Sequence, residues 1–214
     1  MIIKKSIQYA IIIDRQGDCG VFDTMNDAIK LAYQASEEYS KYSLSRKNDI
    51  IDAVTKELEA HLEELSLMTC KETGTNSYDD ILYKNTVALS NAENDKYLEA
   101  KLAANNKINN CEDSFIVNGV IVPSSNPIET IIKNSILMLK AEHAVVFSSN
   151  QNVKHVFAYA IKLINNAIEA VDGPKNLIVT VKEPGIDNTN IMIRHEKITL
   201  ISAIDNHNTE KIAL

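Results

Sequence analysis

The chain has 214 residues, 45% of them hydrophobic, which is enough for one sizeable core or one and a half domains. Its formal charge of −7, from 22 basic and 29 acidic residues without a Lys/Arg cluster, argues against nucleic acid and anionic membrane as partners. The three cysteines, Cys19, Cys70 and Cys111, are far apart and form no CxxC or Cys/His spacing, so they fit a reducing compartment, buried or half-buried thiols and no metal site.

The first segment, "MIIKKSIQYAIIIDRQGDCG", has an apolar run only over 9–13, too short for a signal-peptide core or a membrane span. It is expected to form an edge strand or a short amphipathic segment packed on the body. Thr24 stands three residues before Asp27 and precedes Ala28, Ile29, Ala32 and Ala35 at helical spacing, which predicts a capped first helix. From about Ser45, the stripe Ile51, Val54, Leu58, Leu62 and Leu65 predicts one long second helix stopping near Gly74. A third helical pattern runs from Tyr78 through Ile81, Leu82, Val87 and Ala88 to about Ala104, and "NNKINN" reads as a loop.

After Ser114 the pattern changes, because short β-branched runs alternate with helical stretches. Strands are expected at "FIVNGVIV", 144–149, 176–181 and 197–203, and helices at 128–139, 152–171 and 187–194. Strand, helix, strand at this pitch implies right-handed crossovers and a parallel sheet. Gly173, before Pro174, is expected to end its helix in the left-handed conformation. The fold class is therefore α/β: a helical N-terminal region leading into a truncated Rossmann-like parallel sheet. The expected divisions are an N-terminal extension over 1–22, a helical part over 23–113 and an α/β part over 114–214.

One corner stands out. In "VIVPSSNPIET" an apolar strand ends in two prolines bracketing Ser-Ser-Asn, so Asn126 sits in a stiff strand-to-helix turn. Such an Asn serves either as a rigidly aimed polar group or as a plain loop residue bonding neighbouring backbone. The amides of Ser148, Ser149 and Asn150, at a helix start, can bind an anion or merely mark a cap. Glu72, Asp79 and Asp80 read better as solvated or capping residues than as acid-base groups, and none of His61, His143, His155, His195 and His207 has metal spacing.

Three stretches, "KETGTNSYDDILYKN", "GVIVPSSNPIETIIKNSILMLKAEHAVVFSS" and "AIEAVDGPKNLIVTV", carry a resemblance. From about Gly20 onward the chain resembles the N-terminal part of the aldehyde dehydrogenase superfamily, within it the CoA-acylating acetaldehyde and propionaldehyde dehydrogenases of ethanolamine and propanediol utilisation. The resemblance implies NAD and CoA as cofactors and a cytoplasmic location, with microcompartment association. It also implies oxyanion-hole duty for Asn126, whose amide N–H would face the thiohemiacetal oxygen.

Two departures from the family pattern shape the functional expectation. No cysteine follows Cys111, so none here matches the family's nucleophile, which the thioester chemistry requires. "FSSNQN" replaces the family's Pro-His or Lys after the second strand, and Ala203-Ile204 replaces a glycine turn after the fourth, where a backbone would approach a nucleotide. The chain is thus expected to be a truncated aldehyde dehydrogenase-like protein, inactive alone and a poor NAD binder. The alternative is a non-catalytic subunit pairing with itself or with a full-length aldehyde dehydrogenase. A sheet cut after its fourth strand leaves one edge open, which predicts self-association.

Overall fold

The structure is a computed structural model that describes residues 19–74, 77–94, 116–204 and 210–213. Cys111, the apolar run at 9–13, the end of the third helix and "NNKINN" lie outside them. Six strands make one sheet: β1 (Val21–Phe22), β2 (Val117–Ile121), β3 (Ala144–Ser148), β4 (Ile178–Val181), β5 (Ile198–Ile204) and β6 (Glu210–Ala213), in the order β1-β4-β3-β2-β5-β6. All neighbours are parallel except β5 and β6. β3, β4 and nearly all of β2 are buried, as strands covered on both faces must be.

The helices are α1 (Met25–Ser40), α2 (Leu44–Ala60), α3 (Leu62–Thr73), α4 (Tyr78–Asn94), α5 (Pro127–Lys140), α6 (Lys154–Ala170) and α7 (Ile186–Arg194). α5 and α6 cover one face of the sheet, with α2, α3 and α4 packed behind them; α1 and α7 cover the other. Gly119 lets α7 approach β2, since a Cβ there would meet Ile201 Cδ1 at 2.7 Å and Met192 Sδ at 3.2 Å. On the opposite face, the Phe147 and Phe157 rings meet edge to face with centroids 5.9 Å apart.

Several expectations hold in detail. Thr24 caps α1, its hydroxyl accepting from the Asp27 N–H at 3.2 Å, and Gly74 ends α3 at φ 70°. Four points differ. The long second helix is two helices, because at His61 (φ −112°, ψ 8°) the backbone leaves the helical track and the ring Nδ1 meets the Glu57 carbonyl at 2.9 Å. The apolar stripe runs through the break, so periodicity cannot reveal it; Ile50, fully buried, takes the inner position expected of Ile51.

At the end of α6 the left-handed residue is Asp172 (φ 56°), and Gly173 is needed for space instead. A Cβ on Gly173 would lie 2.8 Å from the Ile168 carbonyl, to which the Gly173 N–H donates. β1 is a two-residue strand beside β4, too short to be anticipated. Finally, the fourth predicted strand is not the last in the sheet, because β6 pairs antiparallel with β5 and the sheet's edge passes to β6.

Polar contacts clamp the lower edge of the sheet, where the strands begin. Lys47 Nζ lies 2.7 Å from Glu142 Oε2, and Tyr39, whose hydroxyl ionises with difficulty because it is buried, donates to the Leu139 carbonyl. Asn118 Nδ2 donates to His143 Nδ1 at 2.8 Å. Burial alone pulls the His143 pKa down to about 4, so the ring is neutral at pH 7.

Candidate functional site

The order β4-β3-β2-β5 fixes where a ligand can sit. From β2 the chain steps outward to β3 and β4, then returns to the other side of β2 with β5, so winding reverses between β2 and β5. In open α/β sheets the crevice outside the carboxyl ends of the strands at this reversal is the binding position. Asn126 stands just beyond the carboxyl end of β2, and Ser148 and Ser149 stand at that of β3. Ala203 and Ile204 end β5.

Asn126 is buried, with 8% of its surface exposed, and holds the N-cap position of α5 ahead of Pro127. An Asn at this position ordinarily turns its oxygen inward to accept a backbone N–H of the first turn. Asn126 does not: its side chain makes no cap bond, Nδ2 donates to Glu129 Oε2 at 3.1 Å, and Oδ1 is buried without a partner. An unsatisfied buried acceptor costs about 1–3 kcal/mol. Sequence reading assigned Asn126 but passed over Glu129, although the spacing Asn-x-x-Glu is that of a capping box and was available as a signal.

The second strand end is different. Ser148 Oγ and Thr189 Oγ1 lie 2.6 Å apart, tying β3 to α7. Asn150 acts as a plain cap, its Oδ1 accepting from the Asn152 N–H at 3.0 Å. Ser149 Oγ is buried and has no partner. Glu72, at the end of α3, reaches across to α6, where its Oε2 accepts from the Val156 N–H at 3.2 Å. Desolvation raises the Glu72 pKa, and the helix amides and neighbouring Lys154 and His155 oppose that shift. Glu72 is thus a capping residue, as expected, but it caps a helix 84 residues away rather than its own.

Asp79 and Asp80 lie exposed in the first turn of α4, with Asp80 paired to Lys84 at 2.8 Å. The site contains no thiol among the described residues. Cys19 precedes β1 and so stands near the start of β4, at the sheet end opposite Asn126, while Cys70 is half-buried on α3. No group of three His, Cys, Asp or Glu residues able to hold a metal, and no helix long and apolar enough to cross a membrane, occurs among the described residues.

A sheet reversing beside its first long strand, with a buried amide at that strand's carboxyl end, defines a Rossmann-like α/β protein. The aldehyde dehydrogenase family profile matches residues 20–212, and the chain belongs to that family. It is 36% identical over 185 residues to the propanal dehydrogenase (CoA-propanoylating) of Citrobacter freundii, covering 86% of this chain and 40% of that one. A propionaldehyde dehydrogenase of Rhodopseudomonas palustris, solved with bound propionyl-CoA, superposes with a TM-score of 0.75 at 32% identity, over 87% of this chain and 42% of that chain. An engineered glycolyl-CoA reductase with bound NADP+ gives 0.74 at 31% identity, over 87% and 43%. The chain thus spans about 40% of the length of the curated relatives it matches.

Proposed function

We propose that these 214 residues form the part of a CoA-acylating aldehyde dehydrogenase that presents the oxyanion donor and the cofactor sheet, and that they are inactive alone. The observation that carries this reading is Asn126, a buried side-chain amide held rigidly at the carboxyl end of β2 where the winding reverses. A neutral donor aimed beforehand at developing negative charge contributes about 2.7–4 kcal/mol to a transition state. The reaction also needs a thiolate within bonding distance of the carbonyl, and Cys19 and Cys70 are not at the site. Purified protein given propanal, CoA and NAD is expected to form no NADH above a no-enzyme control, with or without Asn126→Ala. Turnover that disappears in Asn126→Ala would overturn the reading.

Cofactor binding follows the same logic. NAD and CoA are the ligands that the family implies, but Glu72 already takes a backbone donor at the start of α6, and Ala203-Ile204 stands where a phosphate-approaching turn would want glycine. NAD is expected to bind with a dissociation constant above about 100 μM, weaker than about −5.5 kcal/mol. These same departures favour the second reading, a non-catalytic subunit that pairs with itself or with a full-length enzyme in the cytoplasm or a microcompartment. Self-pairing would use the outer edge of β6 in place of that of β5, together with exposed apolar side chains such as Ile186 and Ile193 of α7. Sedimentation giving a clean monomer at tens of micromolar would remove self-pairing.

A further inference from the structure

We propose that Glu129 is the positioning residue of this site: it, rather than the helix, decides which end of the Asn126 amide faces which way. A carboxylate can only accept, so of the two amide ends only Nδ2 can face Glu129 Oε2 at 3.1 Å. Reversing the amide would set Oδ1 against that carboxylate oxygen. The consequence is visible in what Asn126 forgoes. It stands at the N-cap of α5 with an unsatisfied buried oxygen, yet makes no bond to the first turn, so the ordinary cap has been given up in favour of the glutamate.

Glu129 is half-buried in the first turn of α5, rigidly tied to the helix, and its charge also reaches Lys84, whose pKa it helps to raise after the larger effect of Asp80. Nδ2 carries two hydrogens, and Glu129 consumes one. The second remains to donate, in a direction set by the first bond. That this second hydrogen serves an oxyanion rests on the function proposed for Asn126; that Glu129 orients the amide does not.

Nuclear magnetic resonance of the side-chain amides in the intact chain tests the orientation without any turnover. In the unaltered protein the Asn126 NH2 should exchange slowly, and its nitrogen shift should move as Glu129 titrates. In Glu129→Ala the NH2 should lose its protection while Oδ1 turns to cap α5, so that a backbone N–H at 128 or 129 exchanges roughly fivefold more slowly, the size of one N-cap. Glu129→Gln keeps an acceptor and should keep the NH2 protected, but without the pH-dependent shift. Unchanged NH2 protection in Glu129→Ala would overturn the proposal; if that variant does not fold, an Asn126 shift indifferent to pH in the unaltered protein overturns it equally. Turnover by the unaltered protein above a no-enzyme control, alongside an intact Glu129 coupling, would sink the proposed function and leave the positioning role standing.

Discussion

Two helices, α5 and α6, begin at the carboxyl ends of adjacent strands, and each has a glutamate at its start, yet the two glutamates do opposite things. At α6 the glutamate comes from another helix: Glu72 crosses from α3 and takes a backbone N–H. At α5 it is local, and Glu129 takes a side-chain amide, leaving the helix without a side-chain cap. The difference teaches where the fold spends its donors. Those of α6 serve stability, while the Asn126 amide at α5 is kept pointing in a fixed direction at a cost in stability, the pattern expected where a side chain is placed for chemistry.

The far ends of the same two helices extend the contrast and carry the largest expected effect. α5 runs out through left-handed Glu142 (φ 66°) into buried His143, whereas α6 runs out onto Arg46. With the His143 pKa lowered to about 4 from 6.5, its contribution is complete above pH 6.5 and is lost as pH falls toward 4, because the unfolded chain takes the proton first. Urea unfolding should therefore show a loss of about 3 kcal/mol across that window, flattened in His143→Gln. A flat profile in the unaltered protein would place the ring in a wetter setting than its burial implies.

Next in size is the cap in trans. Glu72→Ala should cost about 1–2 kcal/mol, as losing an N-cap does, while Glu72→Gln should cost almost nothing. The reason is the raised pKa: ionised Glu72 is disfavoured by desolvation, and an uncharged carbonyl accepts the same N–H without that penalty. Equal losses in the two variants would mean that charge at the helix start, rather than the hydrogen bond, matters. Arg46→Ala, which takes the side-chain donor from the Val171 carbonyl at the other end of α6 and leaves the Asp172 carbonyl to the Tyr42 hydroxyl, should cost about 1 kcal/mol in the same assay.

The smallest effect breaks the comparison most directly. Replacing an ordinary Asn N-cap by Ala costs about 1 kcal/mol. Asn126→Ala should cost less than about 0.5 kcal/mol, since it removes no cap and the unsatisfied oxygen it deletes offsets the lost bond to Glu129. A full kilocalorie lost would make Asn126 a structural cap like any other.

What the sequence made legible follows the range of the forces involved. Thr24 with Asp27, and the strand-helix alternation after Ser114, are local patterns, and the structure keeps them. The corner at Asn126 was readable because Pro123 and Pro127 act on their immediate neighbours. The kink at His61 was not, because an apolar stripe can pass through a break without losing phase. Nor was the Glu72 contact, whose partners are 84 residues apart and share no composition signal. β6 escaped notice because nothing in its few residues announces a strand without the partner beside it.

Helix α6 has no acidic residue in its first turn and no basic residue in its last, so nothing in its own sequence offsets its dipole. Glu72 and Arg46 supply a hydrogen-bond partner at each end from helices made far earlier in the chain. In kinetic terms, α6 can gain its full stability only after loops of 84 and 125 residues have closed, which makes it a late arrival. The helical part and the sheet should therefore unfold in one cooperative transition, and residues 114–214 expressed alone should stay unfolded until residues 23–113 are added back.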